Sequence, residues 1–188
     1  LELLRNDGES MTQKIIISGF GGQGVLSAGL LIAESAVEEG WNATFFPSYG
    51  AEMRGGTANC HVIISDSEIA SPIIKSADTL IALNSPSVEK FLPFLKEDGL
   101  LLVNSSVVSG NLNAGARKVV ELPLDSLALE KLGNSKSANV IIIGAFAKLT
   151  NVLKPEKIKS AIEKKFASKG GKIIDMNLRA LELGAVSV

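Results

Sequence analysis

The 188-residue sequence has one cysteine, Cys60, and one histidine, His61. That excludes an intrachain disulfide, an iron–sulfur cluster held by four cysteines and a zinc site built from several histidines, so any metal redox chemistry must reside elsewhere. Charge of one sign is also missing, with 19 Lys+Arg against 20 Asp+Glu and a formal net charge of -1. No basic excess is available to neutralise a run of phosphates, which argues against non-specific nucleic-acid binding. Long hydrophobic runs are absent. The longest, Val140 to Ala147, falls far short of the roughly 20 residues that span a bilayer. There are 6 Pro, and 46% of residues are hydrophobic against 21% charged, proportions of one compact domain rather than a disordered chain. With no signal-peptide core, no arginine-rich leader and no disulfide, a soluble cytoplasmic chain is expected. Glycine, by contrast, is abundant: 18 residues against the about 13 that a usage of roughly 7% would give.

Residues 1–10 are mixed and charged, and Met11 opens a strand pattern, so residues 1–10 read as a leader or added extension and residues 11–188 as the domain. From Lys14 the order is strand, glycine loop, helix. Ile15, Ile16 and Ile17 form the short continuous apolar run of a strand buried on both faces in a parallel sheet. Apolar residues then recur at helical spacing from Val25 to Val37, with Gly40 as a stop, and a second strand spans Ala43 to Phe46. Pro47 to Gly56 has neither period and reads as a long loop. Thr57 to Ser65 alternates, which predicts a strand with one largely polar face; Cys60 and His61 then point to opposite sides and cannot form a nucleophile–base pair. Further strands are expected at Thr79–Leu83, Leu100–Val103 and Lys118–Leu122, with a helix at Pro86–Leu95 capped by Ser85. Helices at 124–132, 140–149, 155–166 and 176–183 complete a three-layer α/β/α fold: a mostly parallel, Rossmann-like sheet in a single domain with a helical C-terminal part.

Two glycine-rich segments carry the functional signal. Gly19, Gly21 and Gly24 satisfy G-x-G-x-x-G after a strand and before a helix, a context in which backbone amides can approach an anion at a helix N-terminus. The bland alternative is a tight turn that binds nothing. A dinucleotide site also wants an acid about 20 residues on, at the end of the second strand. That place holds Phe45, Phe46, Pro47 and Ser48, and no acid comes before Glu52, which weakens a nicotinamide site. The second segment, SYGAEMRGG from Ser48 to Gly56, sets Tyr49, Glu52 and Arg54 among Gly50, Gly55 and Gly56. An arginine there can make a bidentate contact to a carboxylate or phosphate, oriented by the glutamate, or can simply be a solvated turn. Both segments leave strands at what should be one sheet edge, the edge at which open α/β sheets bind ligands. Asn104, Ser105 and Ser106 follow a buried strand and are weaker candidates for the same edge.

GFGGQG at 19–24, followed by SYGAEMRGGTANCHVIIS at 48–65, resembles the gamma subunit of 2-oxoacid:ferredoxin oxidoreductases, most of all the 2-oxoglutarate branch with the 2-ketoisovalerate branch close behind. The likeness extends over nearly the whole chain from Met11. It implies a complex that converts a 2-oxoacid, coenzyme A and oxidised ferredoxin into acyl-CoA, CO2 and reduced ferredoxin. Thiamine diphosphate and iron–sulfur clusters would sit on alpha, beta and ferredoxin-like delta subunits, leaving this chain without catalytic residues or a metal of its own. By the same resemblance Gly19, Gly21, Gly22, Gln23, Gly24, Tyr49, Glu52, Arg54, Gly55 and Gly56 are the candidate cofactor-facing residues, near coenzyme A or the subunit interface. Ala51 stands where many relatives have proline. Two other readings stay open: a stand-alone NAD(P)-dependent dehydrogenase, and a non-catalytic assembly module. A subunit of an obligate complex is also expected to expose an apolar patch, through which the isolated chain would form a homodimer.

Overall fold

The computed structural model describes residues 11–49 and 56–188. Strands β1 (Thr12–Phe20), β2 (Asn42–Tyr49), β3 (Thr57–Ser65), β4 (Ala77–Ala82), β5 (Leu95–Asn104) and β6 (Lys118–Leu122) form one sheet in the order β2-β3-β1-β4-β5-β6. β1, β4, β5 and β6 are parallel neighbours, whereas β3 runs antiparallel to both β1 and β2. Only β3 therefore opposes the common direction, and the sheet is mostly parallel as the apolar runs require. The departure from a plain Rossmann unit is that β3 is inserted between β1 and β2, so the two strands joined by the first helix are not neighbours.

The helices are α1 (Val25–Glu38), α2 (Ser85–Phe91), α3 (Leu124–Leu132), α4 (Ala138–Thr150), α5 (Pro155–Phe166) and α6 (Gly171–Val186). Alternation along the strands divides the core in two. Ile15, Ile17, Cys60, Val62, Ile64, Ile81 and Leu102 face α1 and the C-terminal helices; Ile16, Ile63, Leu80, Leu101 and Val103 face the side covered by α2. The helical layers are thus unequal, because all helices after β6 pack on one face.

Three local expectations are corrected. The helix after β4 ends at Phe91, gives way to a 3-10 turn at Leu92–Phe94, and β5 already begins at Leu95; Pro93 has no N–H with which to extend the α ladder. Its cap is Asn84 rather than Ser85, with the Asn84 side chain accepting the Ser87 N–H at 2.9 Å. β2 runs on through Pro47 and Ser48 to Tyr49, paired with Cys60, Asn59 and Ala58, where a loop was expected; on the more polar side of β3, Asn59 and Ser65 are buried and Thr57 is exposed. His61 on that side is half-buried, its Nδ1 accepting the Ile74 N–H at 3.0 Å.

α4 and α6 cross at a pair of glycines. A Cβ on Gly144 would overlap the Leu181 carbonyl, and one on Gly184 would overlap the Ile141 carbonyl. Backbone meets backbone here, so the crossing distance is set by two missing side chains. The first residues of α4 in turn reach the glycine loop, which ties this crossing to the site.

Candidate functional site

β1, β4, β5 and β6 end at one edge of the sheet, where the antiparallel β3 begins; the register pairs Phe20 with Thr57, and Tyr49 with Ala58. A cavity of about 210 Å³ opens there, lined by Gly22, Gln23, Leu83, Asn104, Asp125 and Lys136 among others. A larger groove of about 550 Å³ lies away from it, between α5, β2 and the C-terminal half of α1. Its rim charges pair with each other, Lys164 with Glu38 at 2.8 Å and Lys165 with Glu34 at 4.0 Å.

The glycine loop is held in place by bonds that consume part of its backbone. The Gly21 N–H donates to the Gly56 carbonyl at 2.8 Å, and the Gln23 N–H to the Phe20 carbonyl at 3.1 Å. The first of these sets the start of β3 against the loop. Gly22 (φ +98) and Gly24 (φ +76) adopt left-handed conformations that glycine accepts at no steric cost. A Cβ on Gly24 would also sit 2.6 Å from Asn139, whose Nδ2 donates to the Gly24 carbonyl at 3.4 Å. Gly19 is small for a different reason: a Cβ there would lie 2.7 Å from Gln23 Oε1. Of these three, only Gly22 faces open space. Gly24 is the N-cap of α1 with no side-chain cap, and no acid occupies the first turn, so that turn offers its amides to an incoming acceptor.

Gln23 lies against the protein rather than free in the cavity. Its Oε1 accepts the Phe20 N–H at 2.6 Å and the Asn84 Nδ2–H at 3.3 Å, while its Nε2 donates to the Leu83 carbonyl at 2.9 Å. Tyr49 closes β2 and is 68% exposed. Glu52, Arg54 and Gly55, with Gly50, lie outside the described residues; Gly56 lies inside them.

Sequence reasoning reached Asn104 and Ser106 but not their partners. Asn104 is buried; its Oδ1 accepts the Ser106 and Leu124 N–H groups at 3.2 and 3.1 Å, and its Nδ2 donates to Asp125 at 3.1 Å. Asn84, Asp125, Lys136 and Asn139 were missed. The available signal was position: Asn84 and Asp125 each follow the end of a parallel strand within a few residues, at the same edge.

Cys60 is buried against α1, and burial pushes its thiol up to about 12. A thiol in that state is neither a nucleophile nor a metal ligand at neutral pH. Burial likewise holds the His61 imidazole below its ordinary pKa. Among the described residues no three His, Cys, Asp or Glu side chains converge to hold a metal ion, and the single thiol does not fit a cluster that needs several. No helix among them is long and apolar enough to cross a membrane.

The profile of the family described as pyruvate ferredoxin/flavodoxin oxidoreductase matches residues 14–186. The chain belongs to this family. Ketoisovalerate oxidoreductase subunit VorA of Methanothermobacter thermautotrophicus is 40% identical over 96% of the chain, which spans only 37% of that relative's length. 2-Oxoglutarate synthase subunit KorC of Archaeoglobus fulgidus is 33% identical, with 90% of the chain and 84% of the relative covered. The gamma subunit of a keto/oxoacid ferredoxin oxidoreductase from Geobacter sulfurreducens superposes with a TM-score of 0.83 at 31% identity, covering 94% of this chain and 95% of that one. The pyruvate ferredoxin/flavodoxin oxidoreductase fold is therefore the three-layer fold expected from the sequence, and the gamma-subunit resemblance holds across nearly the whole chain.

Proposed function

We propose that this chain is the gamma component of a thiamine-diphosphate-dependent 2-oxoacid:ferredoxin oxidoreductase, and that its glycine loop faces coenzyme A. The observation that carries the reading is the bond between Gly21 and Gly56, which joins the family's two sequence motifs at the ligand-binding edge of the sheet. Coenzyme A supplies the thiol that takes the acyl group. This chain's part is to bind and orient it: the amides of Gly22 and of the first turn of α1 meet an anionic group, and Lys136 on the cavity wall adds positive charge. Arg54, oriented by Glu52, is assigned to an anion or to the subunit interface beside it, with Tyr49, Gly55 and Gly56 framing the segment. Thiamine diphosphate and the clusters are assigned to alpha, beta and ferredoxin-like partners, in keeping with a sequence that has one cysteine. The cytoplasm is the assigned compartment.

The relatives named above act, by their names, on ketoisovalerate and 2-oxoglutarate. 2-Oxoglutarate is the first substrate to assay, with ketoisovalerate beside it. β2 is an edge strand with Phe46 and Tyr49 exposed, and partner subunits are assigned to this side; a chain without them is expected to pair with a second copy.

The topology speaks against the dehydrogenase reading. Inserting β3 moves the end of β2, where a ribose-binding acid belongs, one strand spacing of about 4.8 Å farther from the glycine loop. Reconstitution separates the readings. With alpha and beta partners, Arg54→Ala should assemble normally and turn over slowly; failure to assemble would favour the purely structural module. Calorimetry that found tight NAD(P) binding and none of coenzyme A would reverse the choice.

A further inference from the structure

The geometry points to Gln23 as a positioning residue: its carboxamide clamps the glycine loop to the turn between β4 and α2. The inference rests on the reading above only in what the loop is held ready to bind.

Three bonds tie this side chain to the protein. Oε1 accepts from Phe20 at 2.6 Å and from Asn84 at 3.3 Å, and Nε2 donates to the Leu83 carbonyl at 2.9 Å. Both faces of the carboxamide are therefore engaged, and the Leu83 bond specifies which end is the amide. Gly19 supplies the space. Any larger residue there would put its Cβ 2.7 Å from Oε1 and 2.9 Å from Val25 Cγ2, so Gly19 and Gln23 form one unit, socket and plug.

The clamp continues inward. Asn84 is buried, and its Oδ1 accepts the Ser87 N–H at 2.9 Å. Ser18 Oγ, also buried, donates to Ser87 Oγ at 2.9 Å, and the Ala58 carbonyl lies 3.5 Å from the same hydroxyl. The chain of bonds runs from the loop through α2 to the start of β3, two residues beyond Gly56, where the backbone bond from Gly21 closes the circuit. Asn84, Ser87 and Ser18 are buried, where hydrogen bonds are strong and the inner part of the network is held in one arrangement. The loop after β1 and the entry to β3 are thus fixed relative to each other by side chains that no ligand needs to touch.

Gln23→Met keeps the length and removes every bond. Hydrogen exchange on the isolated full chain should show faster exchange, by about ten-fold, confined to residues 19–26, with the exchange of β4 and β5 unchanged. In the reconstituted complex the KM for coenzyme A should rise by a similar factor while the KM for the oxoacid stays fixed. Gly19→Ala should reproduce both effects, because its methyl evicts the carboxamide. Should Gln23→Met fail to fold, Gln23→Glu reads the same clamp, replacing the donor to Leu83 with a repelled oxygen. Unchanged exchange in residues 19–26 would overturn the clamp. Faster exchange with an unchanged KM for coenzyme A would uphold the clamp and overturn instead the assignment of coenzyme A to the loop.

Discussion

Alanine at Gly184 is a favourable change by helix propensity and an unfavourable one by packing, so the sign of its effect tests the description of the α4–α6 crossing. Gly184 lies inside α6, where Gly→Ala gains about 1 kcal/mol from backbone entropy alone. Against this, the new methyl would overlap the Ile141 carbonyl and approach the Ala145 amide nitrogen to 3.0 Å, both backbone atoms of α4 that no rotamer change can move. Overpacking of that kind costs about 1–3 kcal/mol, and the upper value applies where whole helices must separate. The net loss is about 2 kcal/mol. At an m-value of about 3 kcal/mol/M the urea midpoint should fall by about 0.7 M with the slope unchanged. Gly171→Ala is the internal control, since it lies in the first turn of the same helix with no atom within 4 Å of the added methyl. It should hold stability or raise it by up to about 1 kcal/mol. Equal midpoints for Gly184→Ala and the parent chain would refute the backbone-to-backbone contact.

Four further outcomes follow from the same structure. Gly24→Ala, strained at φ +76 and pressed on Asn139, should lose about 1–3 kcal/mol in urea unfolding, whereas the open-space position Gly22 should lose only its left-handed preference, about 1 kcal/mol. Cys60, with its thiol pushed up to about 12, should resist iodoacetamide at pH 8 in the folded chain and react at once in denaturant; labelling of the native protein would contradict its burial. Because burial lowers the pKa of His61, the folded state binds that proton less readily than the unfolded chain. Its contribution is therefore complete above the ordinary histidine pKa of about 6.5 and shrinks as pH falls from there toward the lowered value, so His61→Gln should flatten that part of a midpoint-against-pH curve. Sedimentation of the isolated chain should show a concentration-dependent dimer that a Phe46→Ser, Tyr49→Ser double variant shifts to monomer.

Much of the fold was readable because its signals are local. Three successive isoleucines can only be buried on both faces, Pro155 starts α5, and Gly40 (φ +91) follows α1 in the left-handed region. Strand order was not local. Nothing in Thr57–Ser65 says that the strand inserts antiparallel between two others. At the site, the sequence pointed to the glycine loop and to its meeting with the second motif. It did not reveal why each glycine is there. Gly19 makes room for Gln23 and Gly24 for Asn139, the latter a contact across 115 positions in sequence, so spacing alone could not assign either to a ligand. Asp125 and Lys136 were hidden for the same reason, coming to the cavity from segments far along the chain.

Coenzyme-A-dependent ferredoxin reduction by alpha and beta partners, measured with and without this chain, addresses the central claim most directly. Turnover of a 2-oxoacid should require the added chain and should fall when Arg54 is replaced by alanine. Full activity of the alpha–beta complex in its absence would contradict the account.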